Sequence, residues 1–144
     1  MAYVTGKSGS FEITGSPFSG RITWSETYDI TTNTSIVTIE KIEVKSSNFY
    51  GVGYYPSGSI TVNGEKVGSM SSGSGTHYVY ISKQKTYYEI KESGDKPFTP
   101  WVSSAINHNT DGKKSVVVNV SIGLYTINGN YDSGKKFTGD VTLE

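Results

Sequence analysis

Ser115-Val116-Val117-Val118-Asn119-Val120-Ser121-Ile122-Gly123-Leu124 is the stretch on which the fold turns. Val116, Val118, Val120, Ile122 and Leu124 fall on one side of it, and Ser115, Val117, Asn119, Ser121 and Gly123 on the other. Side chains of a strand point alternately to its two faces, so this spacing predicts a β-strand with one apolar face on a core. Immediately before it stands Asn107-His108-Asn109-Thr110-Asp111-Gly112-Lys113-Lys114, in which Asp-Gly supplies the positive φ of a tight hairpin turn. Trp101–Ile106 is therefore expected as the partner strand across that turn.

The same two-residue period recurs on either side of this hairpin. Met1–Ser19 reads as an N-terminal arm with one short strand near Phe11–Ile13. Gly20–Asp29 sets Ile22, Trp24, Glu26 and Tyr28 against Arg21, Thr23, Ser25 and Thr27, the mark of a half-buried strand. Thr31–Ser35, centred on Asn33, is a turn. In Ser35–Lys45 the apolar parity switches between Ile39 and Ile42, which a β-bulge or a change of sheet produces. Phe49–Ser59 reads as a loop of aromatics separated by glycines. Asn63-Gly64 then turns Ile60–Val62 back into Glu65–Val67 as a type I′ hairpin. Gly68–Gly75, serine and glycine with one methionine, reads as a mobile loop.

Strands resume at Thr76–Ser82 and Thr86–Lys91, where tyrosines alternate with other residues. The last strand follows an Asn128-Gly129 turn and keeps Phe137, Val141 and Leu143 on one parity. No segment holds apolar residues at helical spacing over about ten residues. The fold class is all-β, an antiparallel β-sandwich of jelly-roll type. Residues 1–144 form one such domain, whether the chain stands alone or is a piece of a longer protein, with residues 1–19 as the arm.

Composition narrows the functions open to such a domain. A chain of 144 residues can bury roughly 70% of the surface it exposes when unfolded. There are no cysteines, so a disulfide framework and a thiolate metal site are both excluded. Thirteen basic and thirteen acidic residues cancel, and this balance speaks against nucleic acid and against an anionic membrane surface as partners. No apolar run of about 18 residues is present to span a bilayer. The first fifteen residues lack the charged start and apolar middle of a secretory signal, leaving three routes: residence in the producing cell, release by lysis within a particle, or excision from a longer chain.

Motifs that carry chemistry are weak. Gly6-Lys7-Ser8 has the tail of a phosphate-binding loop, but Met1 stands where its first glycine belongs. Gly51-Val52-Gly53 lacks the third glycine and the helix of a dinucleotide site. His77 and His108 are the two histidines, and neither has a metal-ligand spacing, so no metal and no cofactor is expected. Calcium on oxygen ligands suits such folds, yet the acids are scattered. His108 beside Asn107, Asn109 and Asp111 reads either as a site or as side chains that cap local backbone; the second reading is favoured. Glycoside hydrolysis needs two acids about 5 to 9.5 Å apart. Glu26, Asp29, Glu40, Glu43, Glu89, Glu92, Asp95, Asp111 and Asp132 qualify by type, and nothing in the spacing selects a pair. No serine sits in a nucleophile-elbow context, so the chain is expected not to be an enzyme.

Aromatic residues are the remaining signal, with 11 tyrosines and two tryptophans beside 17 glycines. Pyranose rings present flat C–H faces, and proteins that bind them offer tyrosine or tryptophan rings with polar groups alongside. Tyr50, Tyr54 and Tyr55 lie in the glycine-rich loop, where the core cannot claim all three, and are the first candidates for a glycan site. Trp101, at a strand entry after Pro100, is the next. Core packing is the plainer account of Trp24, and it weighs evenly for Trp101. Tyr78, Tyr80, Tyr87 and Tyr88 sit on strands, where cross-strand ladders explain them without a ligand.

Two stretches also carry a likeness. Trp24-Ser25-Glu26 followed by Thr32-Asn33-Thr34-Ser35 resembles the "W-S-Q-S … N-N-T-S" opening of repeated β-domains in tail-tip and minor structural proteins of siphophages that infect Gram-positive bacteria. Ile106-Asn107-His108-Asn109-Thr110-Asp111-Gly112-Lys113-Lys114-Ser115-Val116 resembles their "V-x-H-N-x-D-G-x-K-x-V" hairpin, and Ile60-Thr61-Val62-Asn63-Gly64 fits between them. Glu26 takes the place of a glutamine, and the Phe49–Tyr55 loop is not shared. The resemblance implies a non-catalytic carbohydrate-binding or adhesion module on the virion, acting at the host cell surface. Its partners would be a cell-wall polysaccharide or other glycan and other phage tail subunits. The alternative is a structural spacer or subunit-contact module of the tail without sugar binding.

Overall fold

The computed structural model describes residues 3–15, 17–47, 51–108, 116–126 and 131–143. In chain order the strands are β1 (Tyr3–Ile13), β2 (Phe18–Asp29), β3 (Thr34–Ser46), β4 (Val52–Val62), β5 (Glu65–Met70), β6 (His77–Ile81), β7 (Tyr87–Glu89), β8 (Lys91–Glu92), β9 (Trp101–Val102), β10 (Ile106–Asn107), β11 (Val116–Thr126) and β12 (Tyr131–Leu143). No helix occurs among the described residues. The strands form two antiparallel sheets that face each other as a β-sandwich.

The first sheet runs β1-β2-β3, and the far edge of β3 is covered in turn by β7, β9 and β10. The second runs β12-β11-β4-β6-β8, with β5 also on β4. The chain therefore changes sheets between β3 and β4, between β6 and β9 through β7 and β8, and between β10 and β11. Between the sheets Phe18, Ile22, Ile39, Ile42 and Val44 meet Ile60, Val118, Val120, Ile122, Leu124 and Phe137. Each such side chain, fully withdrawn from water, contributes about 1.5–3 kcal/mol. Sheet contact is close enough that the ring of Phe137 lies on the bare backbone of Gly20.

The parity switch in β3 is a bulge. Thr23 pairs with Lys41 and Trp24 with Ile39, so Glu40 is the extra residue. In an unbulged strand Ile39 and Ile42 could not both face the core, since they stand three positions apart and strand faces alternate every residue. Two turns also follow their residue chemistry. Asn63 and Gly64 adopt φ of 54° and 84°, as a type I′ hairpin between β4 and β5 requires, and Asn33 takes φ of 56° in the turn between β2 and β3.

Three expectations are corrected. Trp101–Ile106 does not pair with β11: β9 and β10 lie on β3 at Thr38–Ile39 and Thr34–Ser35. The partners of β11 are β4 and β12. Residues 109–115, which hold the expected turn, fall outside the described residues; the strands flanking them, β10 and β11, belong to different sheets. Trp101 and Ile106 face inward from β3's edge because an apolar residue at an open edge is buried as well there as beside β11.

Second, most of the expected loop Phe49–Ser59 is β4, a strand between β11 and β6. Glycine and proline disguised it. Pairing on the β6 and β5 side stops at Tyr54 and resumes at Gly58, so Pro56 lies in a gap where no donor is required of it. Third, the arm's strand extends over all of β1, paired with β2 from Tyr3 to Ile13 around a bulge between Thr5 and Ser8. Backbone hydrogen bonds hold it, and these leave no trace in side-chain periodicity.

Candidate ligand-binding face

On β4, Tyr54, Pro56, Ile60 and Val62 turn inward, leaving Tyr55, Ser57, Ser59 and Thr61 on the outer face. On β6, His77, Val79 and Ile81 are buried and Tyr78 and Tyr80 are outward. On β11 the valine and isoleucine parity is buried, so Val117, Asn119, Ser121, Gly123 and Tyr125 share the outer face. Register then decides which of these meet. Tyr125 is paired with Tyr55, and Tyr55 lies against Tyr78, with ring centroids 5.9 Å apart and planes at 62°. Three half-buried tyrosines thus form one row across β11, β4 and β6, a span of roughly 10 Å at the usual strand spacing.

Two glycines shape this row. The Tyr78 ring leans over Gly53, which has no side chain to lift it, and Gly123 stands two residues before Tyr125 on the same face. Tyr80, next along β6 and 49% exposed, extends the aromatic surface past Gly53, its register partner. Along the strands from the row lies a floor of small hydroxyl groups, Ser57, then Ser59 beside Ser121, which in turn pairs with Thr138. Flat rings beside hydroxyls that both donate and accept hydrogen bonds are what a polyhydroxylated ligand can use.

The four residues singled out from the sequence are dispersed. Tyr50 lies outside the described residues. Tyr54 points into the core at 1% exposure, its ring edge-on to Phe18 at 5.2 Å, and burial pushes its phenol above the usual tyrosine range. Tyr55 is at the centre of the outer row. Trp101 turns inward from β9, lies over Gly68 and packs on Phe98 at 5.2 Å. Trp24 is half-buried against the core. Tyr78 and Tyr125 were the residues missed: their outward parity is readable, but not the register that brings them to Tyr55.

His77, His108, Glu43 and Asp29 are engaged within the fold. His77 is buried beneath Trp101 and Phe98, paired with Glu92 and bonded through Nδ1 to Thr76 Oγ1 at 2.9 Å. Burial holds its imidazole below the ordinary histidine value, and the Glu92 charge opposes this. His108 shares a 2.6 Å hydrogen bond with the buried Ser35 hydroxyl and stacks on Tyr28 at 5.0 Å, tying β10 to β3. Glu43 receives two 2.9 Å hydrogen bonds from Arg21, which hold its carboxyl below the usual range. Asp29 is lowered chiefly by the Thr31 hydroxyl, in the turn that it caps. Among the described residues, no three histidine or acidic side chains gather as a metal site.

Comparison with known proteins brings no match, whether against protein-family models, curated proteins or solved structures.

Proposed function

We propose that this chain is a non-catalytic glycan-binding module, and that a saccharide lies on the outer face of the β4 sheet along Tyr125, Tyr55 and Tyr78. The observation that carries the reading is the register of the row. Separate strands deliver three tyrosines to one line, beside a hydroxyl floor, on a face with no second layer of the sandwich over it. A ring face carries negative charge density, so the slightly positive C–H groups of a pyranose are attracted to it while its hydroxyls reach the serines. Trp101 and Tyr54 are held by the core and serve as scaffold. The likeness of Trp24–Ser35 and Ile106–Val116 to siphophage tail domains supports a place in a phage tail, among other tail subunits, meeting the wall glycan of a host cell.

Titration of the protein with polysaccharides, followed by tyrosine fluorescence and calorimetry, tests this reading. Saturable binding is expected, weakened about tenfold by Tyr55→Ala, the loss of one stacking face. Unchanged binding in Tyr55→Ala, Tyr78→Ala and Tyr125→Ala variants of native circular dichroism would overturn it.

A further inference from the structure

Between Met70, the last residue of β5, and His77, the first of β6, the chain makes a turn over residues 71–76. It stands beside positions 55–57 of β4, the stretch that neither β5 nor β6 pairs. There it meets the tyrosine row. A Cβ built on Gly75 would touch the Tyr55 ring at 3.8 Å, so Tyr55 has a second neighbour besides the Tyr78 ring, the bare backbone of this turn. Gly75 has φ of 60°, a left-handed conformation that glycine adopts without strain.

The turn is closed on itself and then fastened to the interior. Thr76 N–H donates to the Ser71 carbonyl at 3.3 Å, Ser71 N–H donates to Thr76 Oγ1 at 3.1 Å, and Gly75 N–H donates to the Ser72 carbonyl at 3.2 Å. Thr76 Oγ1 is also 2.9 Å from His77 Nδ1, His77 Nε2 meets the Glu92 carboxylate, and Ser93 N–H donates to the Thr76 carbonyl at 3.0 Å. A carboxylate facing Nε2 keeps the imidazole proton on that nitrogen, which leaves Nδ1 to accept from the Thr76 hydroxyl while Oγ1 accepts from Ser71. Donor and acceptor roles therefore agree from Ser71 to His77. The imidazole itself is immobilised, being buried beneath Trp101 and Phe98.

From this arrangement, and resting on the glycan-binding reading, we infer that the 71–76 turn is the rim against which a saccharide on Tyr55 is seated, and that Thr76 is the positioning residue that holds the rim in place. Binding is weakened by whatever has to be ordered as the ligand arrives, and a ring and rim fixed beforehand avoid that loss. Thr76 joins the buried imidazole to the exposed turn, so removing its hydroxyl loosens the rim and leaves Tyr55, Tyr78 and Tyr125 intact.

The test uses the whole chain with dextran, galactan, mannan and polygalacturonate as probes. Thr76→Val keeps the shape of the side chain and removes the hydroxyl. Its Kd for a polymer that the parent binds should rise about fivefold, the scale of one lost hydrogen bond, and Thr76→Ser should recover the affinity. In carbon–proton NMR spectra of the tyrosine rings, the Tyr55 signal should shift in Thr76→Val while that of the core residue Tyr54 stays. Gly75→Asn is the second variant should Thr76→Val fail to fold: asparagine accepts positive φ, and its side chain against the Tyr55 ring should raise Kd more than about threefold. Unchanged affinity in both variants, with Tyr55→Ala still impaired, overturns the rim and leaves glycan binding standing. Equal losses in Thr76→Val and Thr76→Ser, with Tyr54 shifting as well, mark a merely structural threonine and overturn its positioning role. Absence of binding by the parent to every polymer overturns both readings.

Discussion

A single missing Cβ lets β4 and β11 meet. Gly58 has φ of 144°, and a Cβ built there overlaps the Ser121 carbonyl oxygen across the strand pair. Gly58→Ala must therefore either strain its own backbone or part the two strands beneath the serine floor. The expected cost is about 2–4 kcal/mol, seen as a lower urea midpoint at unchanged slope. At Arg21 the issue is charge. Glu43 is 8% exposed at its side chain, while Arg21 is 36% exposed and partly screened by water. Arg21→Gln should cost about 1–2 kcal/mol at neutral pH, less than a fully buried pair would. The lowered Glu43 value means that its stabilisation is complete above the unfolded carboxylate pKa, about 4.3, and is lost as pH falls through the folded value. Acid unfolding curves of the two proteins should accordingly converge at low pH, and a gap that widened on acidification would contradict this account.

Among the elements, β3 is the most informative. Its bulge was legible because five apolar residues in one strand cannot break parity without a physical cause. Deleting Glu40 would restore regular pairing and leave Ile39 and Ile42 two positions apart on one face, so that Val37 and Ile39 stay in the core. Cooperative thermal unfolding is therefore expected to survive the deletion, and its loss would contradict this reading of the bulge. Glu40→Ala, which removes only an exposed hydrogen bond from Ser25, should stay within about 0.5 kcal/mol of the parent. Turn chemistry was equally readable at Asn33 and at Asn63-Gly64, where local geometry demands left-handed backbone. What could not be read was pairing between distant strands. An Asp-Gly pair in a sequence predicts a turn but not the sheet that follows it, and the two-residue strands β9 and β10 are too short to show a period. The tyrosine row was hidden for the same reason. Tyr55 was found by type and neighbourhood, whereas Tyr125 joins it through the β11–β4 register over more than sixty intervening residues, for which no short motif exists.

At the scale of the whole molecule, each sheet has one apolar face, and the outward faces carry the Arg21–Glu43 ion network on one side and the tyrosine row with its serine floor on the other. Tyrosine ionisation offers a check on which rings are buried. Burial raises Tyr54 and, with the Glu12 charge added, Tyr87. Their folded values lie above the unfolded value of about 10, so stability is complete below that pH and is lost as pH climbs through the folded values. Tyrosinate absorbance should rise in two stages, the late stage coinciding with unfolding, and Tyr54→Phe should diminish the late stage. A single stage, finished while the protein is still folded, would refute the buried placement. The patchwork beside β3 has a further outcome. Because β7, β9 and β10 cover that edge in short pieces separated by excursions of chain, an incoming strand from a neighbour finds no uninterrupted ladder to extend, so end-to-end growth into fibrils is obstructed on that flank even in concentrated solution.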